Sequence, residues 1–279
     1  MLIEIIKFIL YSLAIVIISK YILSETIRRL AKSLMLDHKI VGNIAGISTS
    51  IPELLMVVIS SLNGLIISSI YNILSSNIIN LMQYLITIKL NKNIKNLKNT
   101  AIKSDIVIVL ATIIIPAIII KLKINMELSI IPLFIFLFIF FLFLNYNIHK
   151  VYLNTNENKE EKNSEKGINL KKRKFLNILK YSTILILTGT FLFFISYRLG
   201  DVLESLCKRF GISEIIIGIL LGVITSIPEL ITFSEAQNYN KKELNNMEGV
   251  VEATNNLLTS NLLNLCIIQT IGIFLSNIT

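Results

Sequence analysis

The chain contains little charge and little cysteine, and each shortage excludes a class of protein. Only 16% of its 279 residues are charged, whereas 53% are hydrophobic and the mean hydropathy is +0.71. Soluble domains carry about 25% charged residues, so a soluble enzyme or binding domain is not expected. The two cysteines, Cys207 and Cys266, form no paired motif. They predict free thiols, one in a loop and one in a helix, and exclude a disulfide framework or a cysteine-ligated metal.

Tryptophan is absent, so anchoring at a membrane surface would depend on the nine tyrosines and on lysines. The net charge of +9 comes from Lys and Arg residues that cluster between long apolar runs. This distribution is typical of loops that set membrane orientation, and it argues against a nucleic-acid partner. We therefore predict a multi-pass protein whose surroundings are the lipid bilayer.

Eight stretches are apolar enough to cross a bilayer, for which about 20 residues are needed. They lie at about 2–23, 40–61, 65–88, 104–121, 127–148, 176–197, 212–234 and 247–276. The fold class predicted is an all-α polytopic membrane protein. A polar stretch without apolar periodicity, 150–174, predicts a flexible linker between a first half, 1–149, and a second half, 175–279.

Basic residues concentrate in alternate loops, and this bias predicts the orientation of the chain. Lys and Arg cluster in the predicted loops 24–39, 89–103, 150–174 and 235–246. Basic loops face the cytoplasm, so both termini are expected outside, with the protein in the plasma membrane.

Two of the four prolines occur in the same pentapeptide, Ser-Ile-Pro-Glu-Leu, at 50–54 and 226–230. The surrounding residues match at a constant offset of 176, and "SNIIN" (76–80) then matches "SNLLN" (260–264) at an offset of 184. The repeats cover about 40–82 and 216–268. Because the second copy lies five predicted spans after the first, it is expected to be inverted. Inverted repeats with proline-interrupted helices indicate a transporter with a site near the middle of the membrane.

The repeated residue types suit a hard cation. Proline leaves a helix carbonyl without its donor, and the motif adds hydroxyl and carboxylate oxygens beside it. Calcium takes about six to eight oxygen ligands, and two glutamates would balance its charge; Na⁺ is also compatible. Serine and asparagine four residues apart share a helix face. The candidate ligands are Thr49, Ser50, Glu53, Ser76 and Asn80, with their counterparts Thr225, Ser226, Glu229, Ser260 and Asn264.

Structural roles are the alternative for several of these residues. An isolated membrane glutamate can instead form a local ion pair, but two in matching motifs favour function. The pairs Gly42/Gly46 and Gly218/Gly222 favour close helix packing. Four further asparagines are equally compatible with interhelical hydrogen bonds and with a site: Asn72, Asn77, Asn256 and Asn261.

The motifs Thr-Ser-Ile-Pro-Glu and Ser-Asn-x-x-Asn resemble those of the calcium/cation antiporter superfamily, which includes the sodium/calcium exchangers. The resemblance implies the inverted-repeat exchanger fold, alternating access and a central site where Ca²⁺ exchanges for Na⁺ or H⁺. It implies no enzyme activity and no cofactor. It also implies that Glu53 and Glu229 are the central carboxylates, and that backbone carbonyls near Gly46, Thr49, Gly222 and Thr225 complete the coordination.

The chain departs from the family pattern in several ways. The motif glycine before Thr-Ser is Ser48 in one copy and Ile224 in the other, and both final positions are the neutral Asn80 and Asn264, where many members have one Asp. Family glycines are replaced by Tyr71, Ser75, Asn255 and Thr259. The family has about ten helices, and here the sequence ends soon after the eighth, so the second half is expected to be shortened. A homodimer could supply the missing packing. A truncated or degenerate non-transporting membrane subunit is therefore the alternative to an antiporter.

Overall fold

Helices make up the regular structure in the residues that the computed structural model describes, which are 1–26, 29–30, 38–122, 127–156, 169–241 and 246–278. A helix satisfies its own backbone groups, which is what an apolar chain in lipid requires. The α-helices in chain order are α1 (Leu2–Ile18), α2 (His38–Thr49), α3 (Ile51–Leu62), α4 (Ile66–Leu90), α5 (Thr100–Lys121), α6 (Ile131–Asn156), α7 (Asn169–Glu204), α8 (Glu214–Thr225), α9 (Ile227–Lys241), α10 (Asn246–Leu263) and α11 (Gln269–Ser276).

Seven helical segments within the described residues are long and apolar enough to cross a membrane. They are Ile40–Leu62, Ile66–Leu90, Thr100–Lys121, Leu128–Asn147, Leu179–Arg209, Glu214–Asn238 and Met247–Ser276. Each corresponds to one of the eight predicted spans. The remaining prediction, 2–23, falls on α1, which has 17 residues and continues into the π-helical turn Ser19–Ser24.

Two of the seven segments are broken helices, and the break lies at the repeated motif in both. Ser50 separates α2 from α3 with φ −81° and ψ 0°, and Ser226 separates α8 from α9 with φ −80° and ψ −1°. A proline follows two residues later, in the first turn of the next helix. Its missing N–H costs little there because the first turn has no intrahelical acceptor. The sequence repeat is therefore also a repeat of backbone conformation.

The two broken helices pack in a reciprocal way, since α2 lies against α10 and α8 lies against α4. A Cβ atom on Gly46 would stand 2.7 Å from the backbone oxygen of Asn256. A Cβ atom on Gly218 would stand 2.5 Å from the backbone oxygen of Ser68. Glycine is needed at these crossings because no larger residue fits against the opposite backbone, which confirms the predicted packing role.

The residues that replace family glycines lie opposite the glycines that remain. Tyr71 and Ser75 on α4 face Gly218 and Gly222, while Asn255 and Thr259 on α10 face Gly42 and Gly46. At Gly46, the hypothetical Cβ atom would be 2.9 Å from Cβ of Thr259. Bulk on one helix is therefore accommodated by glycine on its neighbour, and the crossings stay close.

Several predicted loops are wrong, because helices continue past the apolar stretches. The expected linker 150–174 is helical at both ends, since α6 runs to Asn156 and α7 begins at Asn169; residues 157–168 lie outside the described residues. Lysine is a good helix former in water, so loss of hydrophobicity does not end a helix.

The same effect changes two further boundaries. The helix α7 continues to Glu204, and the expected loop residue Cys207 lies in the π-helical turn Ser205–Arg209. The helix α9 extends to Lys241, well into the predicted loop 235–246. Both cysteines are free thiols, as predicted.

Candidate cation site

Glu53 and Glu229 are the central acidic pair of the structure, and both are completely buried. Each lies in the first turn after its helix break, Glu53 on α3 and Glu229 on α9. The two carboxylates are close enough to interact electrostatically. Burial of two acids side by side is expensive unless something of opposite charge or a hydrogen-bond donor compensates them.

Hydroxyl groups surround the carboxylates in the same way in both repeats. Ser76 Oγ lies 3.4 Å from Oε1 of Glu53, and Ser260 Oγ lies 3.2 Å from Oε1 of Glu229. Threonine side chains cross between the repeats, because Thr225 interacts with Glu53 and Thr49 interacts with Glu229. Each carboxylate is therefore contacted by both copies of the motif, which neither copy could achieve alone.

The helix breaks place further oxygens beside this pair. The Ser50 hydroxyl lies 2.9 Å from the carbonyl oxygen of Gly46 and 2.9 Å from Ser260 Oγ. At the second break, Ser76 Oγ of the first repeat lies 3.4 Å from the carbonyl oxygen of Gly222 and 3.2 Å from Thr225 Oγ1. The hydroxyl of Ser226 is buried and has no hydrogen-bond partner.

The side-chain amides of Asn80 and Asn264 donate hydrogen bonds through nitrogen and leave their oxygens without a donor. Asn80 Nδ2 donates to Oδ1 of Asn261 at 3.2 Å, and Asn264 Nδ2 donates to Oδ1 of Asn77 at 3.1 Å. The Oδ1 atoms of Asn80 and Asn264 are buried without a hydrogen-bond partner. The donors of both amides are thus used in helix packing, while the acceptors remain available.

Four buried oxygens in matching positions lack a hydrogen-bond partner: Oε2 of Glu53, Oε2 of Glu229, Oδ1 of Asn80 and Oδ1 of Asn264. All four are acceptors. An unpaired buried acceptor costs about 1–3 kcal/mol, and more when the group is charged. A positively charged ligand satisfies such a set, and hard cations prefer oxygen ligands of this kind.

All the predicted site residues lie at this junction of the repeats, but sequence reasoning left the asparagine roles open. Asn77 and Asn261 bind each other's backbone, with Nδ2 to carbonyl distances of 3.3 and 3.1 Å. Asn72 and Asn256 lie 3.5 Å from the Thr225 and Thr49 hydroxyls. Spacing could have separated the packing role from the site role. Asn77 and Asn261 each follow a site serine by one residue, which turns them to a different face of the helix, toward the matching helix of the other repeat.

The sequence model of one family, described as Sodium/calcium exchanger protein, matches residues 5–149, just over half of the chain. The chain belongs to this family. It is therefore a multi-pass membrane protein of the cation exchangers. The match includes the first broken helix and the candidate residues from Gly46 to Asn80.

A solved structure extends the likeness over both repeats. A crystal structure described as the H⁺/Ca²⁺ exchanger CAX matches with a TM-score of 0.59 over 97% of this chain and 69% of that chain, at 17% identity. At this identity the likeness shows the fold alone, and it confirms the predicted exchanger fold. A comparison with curated proteins found no match. The division into repeat domains, the terminal orientation, the plasma-membrane location and the homodimer stay predictions.

Proposed function

We propose that this exchanger moves Ca²⁺ against Na⁺ or H⁺ by alternating access, with Glu53 and Glu229 as the charged ligands of one shared cation site. The observation that carries the proposal is the set of four unpaired buried oxygens, two from each repeat, on Glu53, Asn80, Glu229 and Asn264. Water could satisfy one such atom, but four acceptors that include two carboxylates, on four helices that pack against one another, favour a cation.

The donor set fits a divalent ion. Two carboxylates balance the charge of Ca²⁺, and the two amide oxygens bring the unpaired ligands to four. The hydroxyls of Ser76 and Ser260, within 3.4 Å of the carboxylates, would raise this number toward the six to eight oxygens that Ca²⁺ takes. Among the described residues no three His, Cys, Asp or Glu side chains converge. The four unpaired atoms are all oxygens, which is the ligand type that hard ions prefer.

Exchange follows from the cost of the empty site. Two unpaired carboxylates within a membrane-spanning bundle are expensive, so the site changes access readily only when its charge is neutralised. Calcium can do this alone, and Na⁺ ions or protons can do it at the same atoms. Competition for Glu53 and Glu229 would therefore couple movement of Ca²⁺ in one direction to movement of the other cation in the opposite direction.

The non-transporting alternative rested on the replaced glycines and on the helix number. The replacements at Tyr71, Ser75, Asn255 and Thr259 face retained glycines, and the helices remain close there. The carboxylates and their surrounding hydroxyls are also present in both repeats. These observations favour transport.

Uptake of ⁴⁵Ca²⁺ into proteoliposomes tests the proposal, with a Na⁺ gradient at equal pH and a pH gradient without Na⁺ as separate arms. One gradient is expected to drive uptake, and Glu53→Gln and Glu229→Gln are each expected to abolish it. Glu204→Gln is the matched control, because Glu204 is an exposed acid that pairs with Lys208 at the end of its helix. Uptake that ignores both gradients, or that persists in both central variants, would refute the mechanism.

A further inference from the structure

A cavity of about 180 Å³ lies between the candidate site and the face of the molecule where α9 ends and α10 begins, which we call the cavity face. Three helices each contribute two lining residues at a spacing of four positions, which places them on one side of the helix. They are Val41 and Ala45 on α2, Thr232 and Ala236 on α9, and Glu252 and Asn256 on α10. Each series continues within one turn to a residue of the site, which is Thr49, Glu229 or Ser260. The cavity therefore follows three helix sides that lead to the site.

The sequence repeat supplies a matching position for each of these six residues, at the offsets of 176 and 184. The counterparts are Ile217 and Leu221 on α8, Met56 and Ser60 on α3, and Ser68 and Asn72 on α4. They lead from the site toward the opposite face, where α3 ends and α4 begins, which we call the hairpin face. All six are buried, with a relative exposure of at most 2%. The same set of positions is therefore open to a cavity in one half and packed in the other.

Bulkier apolar side chains account for this difference at two of the positions. Leu221 stands where the cavity has Ala45, and Met56 stands where it has Thr232. Leu221 and Met56 belong to one buried apolar cluster, which also includes leucines of α7. The space that forms the cavity in one half is therefore filled by side chains in the other.

Met56 and Leu221 lie between the central carboxylate and the outer end of this packed region. On α3, Met56 comes three residues after Glu53 and four residues before Ser60. On α8, Leu221 comes four residues before Thr225, which interacts with Glu53. Residues at these spacings lie on one side of a helix, so the two apolar side chains are one turn away from the site.

Three polar atoms on the packed helix sides have no hydrogen-bond partner among the described residues. They are Ser60 Oγ, Ser68 Oγ and Asn72 Nδ2. In the other half, Asn256 is the counterpart of Asn72, and its Nδ2 donates to Thr232 Oγ1 at 2.7 Å. Met56, at the position that matches Thr232, offers no oxygen. Buried polar groups are normally bonded to protein or to water, so these three atoms indicate a space that is hydrated in a second state.

The hairpin face carries its own acid at the outer end of the packed region. Glu214 is the first residue of α8 and is partly exposed. The backbone N–H of Ser68, in the first turn of α4, donates to Glu214 Oε2 at 3.3 Å. The first turns of α4 and α8 are therefore joined at the outer end, while Met56 and Leu221 fill the inner end.

We infer that the second access route of the exchanger runs between α3, α4 and α8 along Ser60, Ser68 and Asn72, and that Met56 and Leu221 form the plug that closes it in this structure. The inference rests on the proposed function, because alternating access needs a route from each face. The cavity is the equivalent route in its open form, since smaller residues stand at both plug positions there.

Thiol labelling from each face tests the route without depending on transport. The background carries Cys207→Ser and Cys266→Ala, and the probes are Ser60→Cys and its counterpart Ala236→Cys. A membrane-impermeant thiol reagent is expected to label Ala236→Cys from the cavity face. It is expected to label Ser60→Cys only slowly, and from the hairpin face. Faster labelling of Ser60→Cys from the cavity face would overturn the inference.

Plug variants decide whether the two apolar residues close the route. Leu221→Ala and Met56→Thr each copy the matching residue of the open half, and each is expected to speed labelling of Ser60→Cys from the hairpin face by about tenfold or more. Removing packed bulk from a core shifts an equilibrium by at least about this factor. Leu258→Ala is the matched control, because it removes the same bulk from a different buried cluster, and it is expected to leave this rate unchanged.

Two results would overturn the plug. One is an unchanged labelling rate in both plug variants, and the other is an equal rise in Leu258→Ala, which would show general loosening of the helices. Wild-type ⁴⁵Ca²⁺ uptake that ignores both ion gradients, with the expected labelling pattern intact, would instead refute the proposed function.

Discussion

Replacing Gly218 with alanine tests whether the close helix crossings hold the site together. The new Cβ atom would stand 2.5 Å from the backbone oxygen of Ser68 and 2.8 Å from Cβ of Tyr71. Ordinary contact begins at 3.4 Å, so α8 and α4 must separate by about 0.9 Å or distort, since a backbone oxygen has no rotamer to escape into. Overpacking of this kind costs about 1–3 kcal/mol.

Gly189→Ala provides the matched control for that cost. Gly189 lies within α7, and a Cβ atom there would meet nothing within 4 Å. Both variants gain the same helix propensity of about 1 kcal/mol, so the difference between them isolates the clash. Unfolding in mixed micelles with increasing SDS should show Gly218→Ala less stable than Gly189→Ala by about 1–3 kcal/mol, or about five- to 150-fold in the unfolding equilibrium. Equal stability of the two variants would refute the packing argument.

Three further outcomes are expected. Asn80→Ala removes one unpaired acceptor and should raise the half-saturating Ca²⁺ concentration for uptake about tenfold or more, the worth of one bond to a charged group; an unchanged value would remove Asn80 from the ligand set. Asn77→Ala removes the side-chain oxygen that accepts from Asn264 Nδ2 at 3.1 Å, whereas the 3.1 Å bond from Asn261 is kept because its acceptor is the Asn77 backbone carbonyl. We expect the free energy of unfolding in SDS to fall by about 1–3 kcal/mol, and stability equal to wild type would argue against this role. A thiol reagent applied to the folded protein should label the partly exposed Cys207 and spare the buried Cys266; a mass increase of two adducts would contradict this burial.

The membrane spans were predictable because they depend on local composition. A helix of apolar residues satisfies its own backbone wherever it lies, so seven spans could be recognised without knowledge of their neighbours. Their ends were not predictable in the same way. Polar stretches near 150, 170 and 240 remain helical because backbone hydrogen bonding does not require apolar side chains.

The candidate residues were also predictable, since the repeat marks them twice. Identity of Glu53 with Glu229 and of Ser76 with Ser260 reflects chemistry that both copies share. The sequence could not show which repeat supplies the threonine that contacts each carboxylate. Thr225 interacts with Glu53 and Thr49 interacts with Glu229, and such contacts arise only when distant segments pack together.

The sequence by itself therefore determined the helical class, the helix breaks at the repeated motif and the residue types of the candidate site. The tertiary structure decided which of the described oxygens remain unpaired and which glycines hold the crossings. The physical reason is the range of the interactions. Helix formation and residue chemistry are local, whereas Ser76 contacts the carbonyl of Gly222, and Gly218 packs against Ser68, across more than 140 residues of the chain.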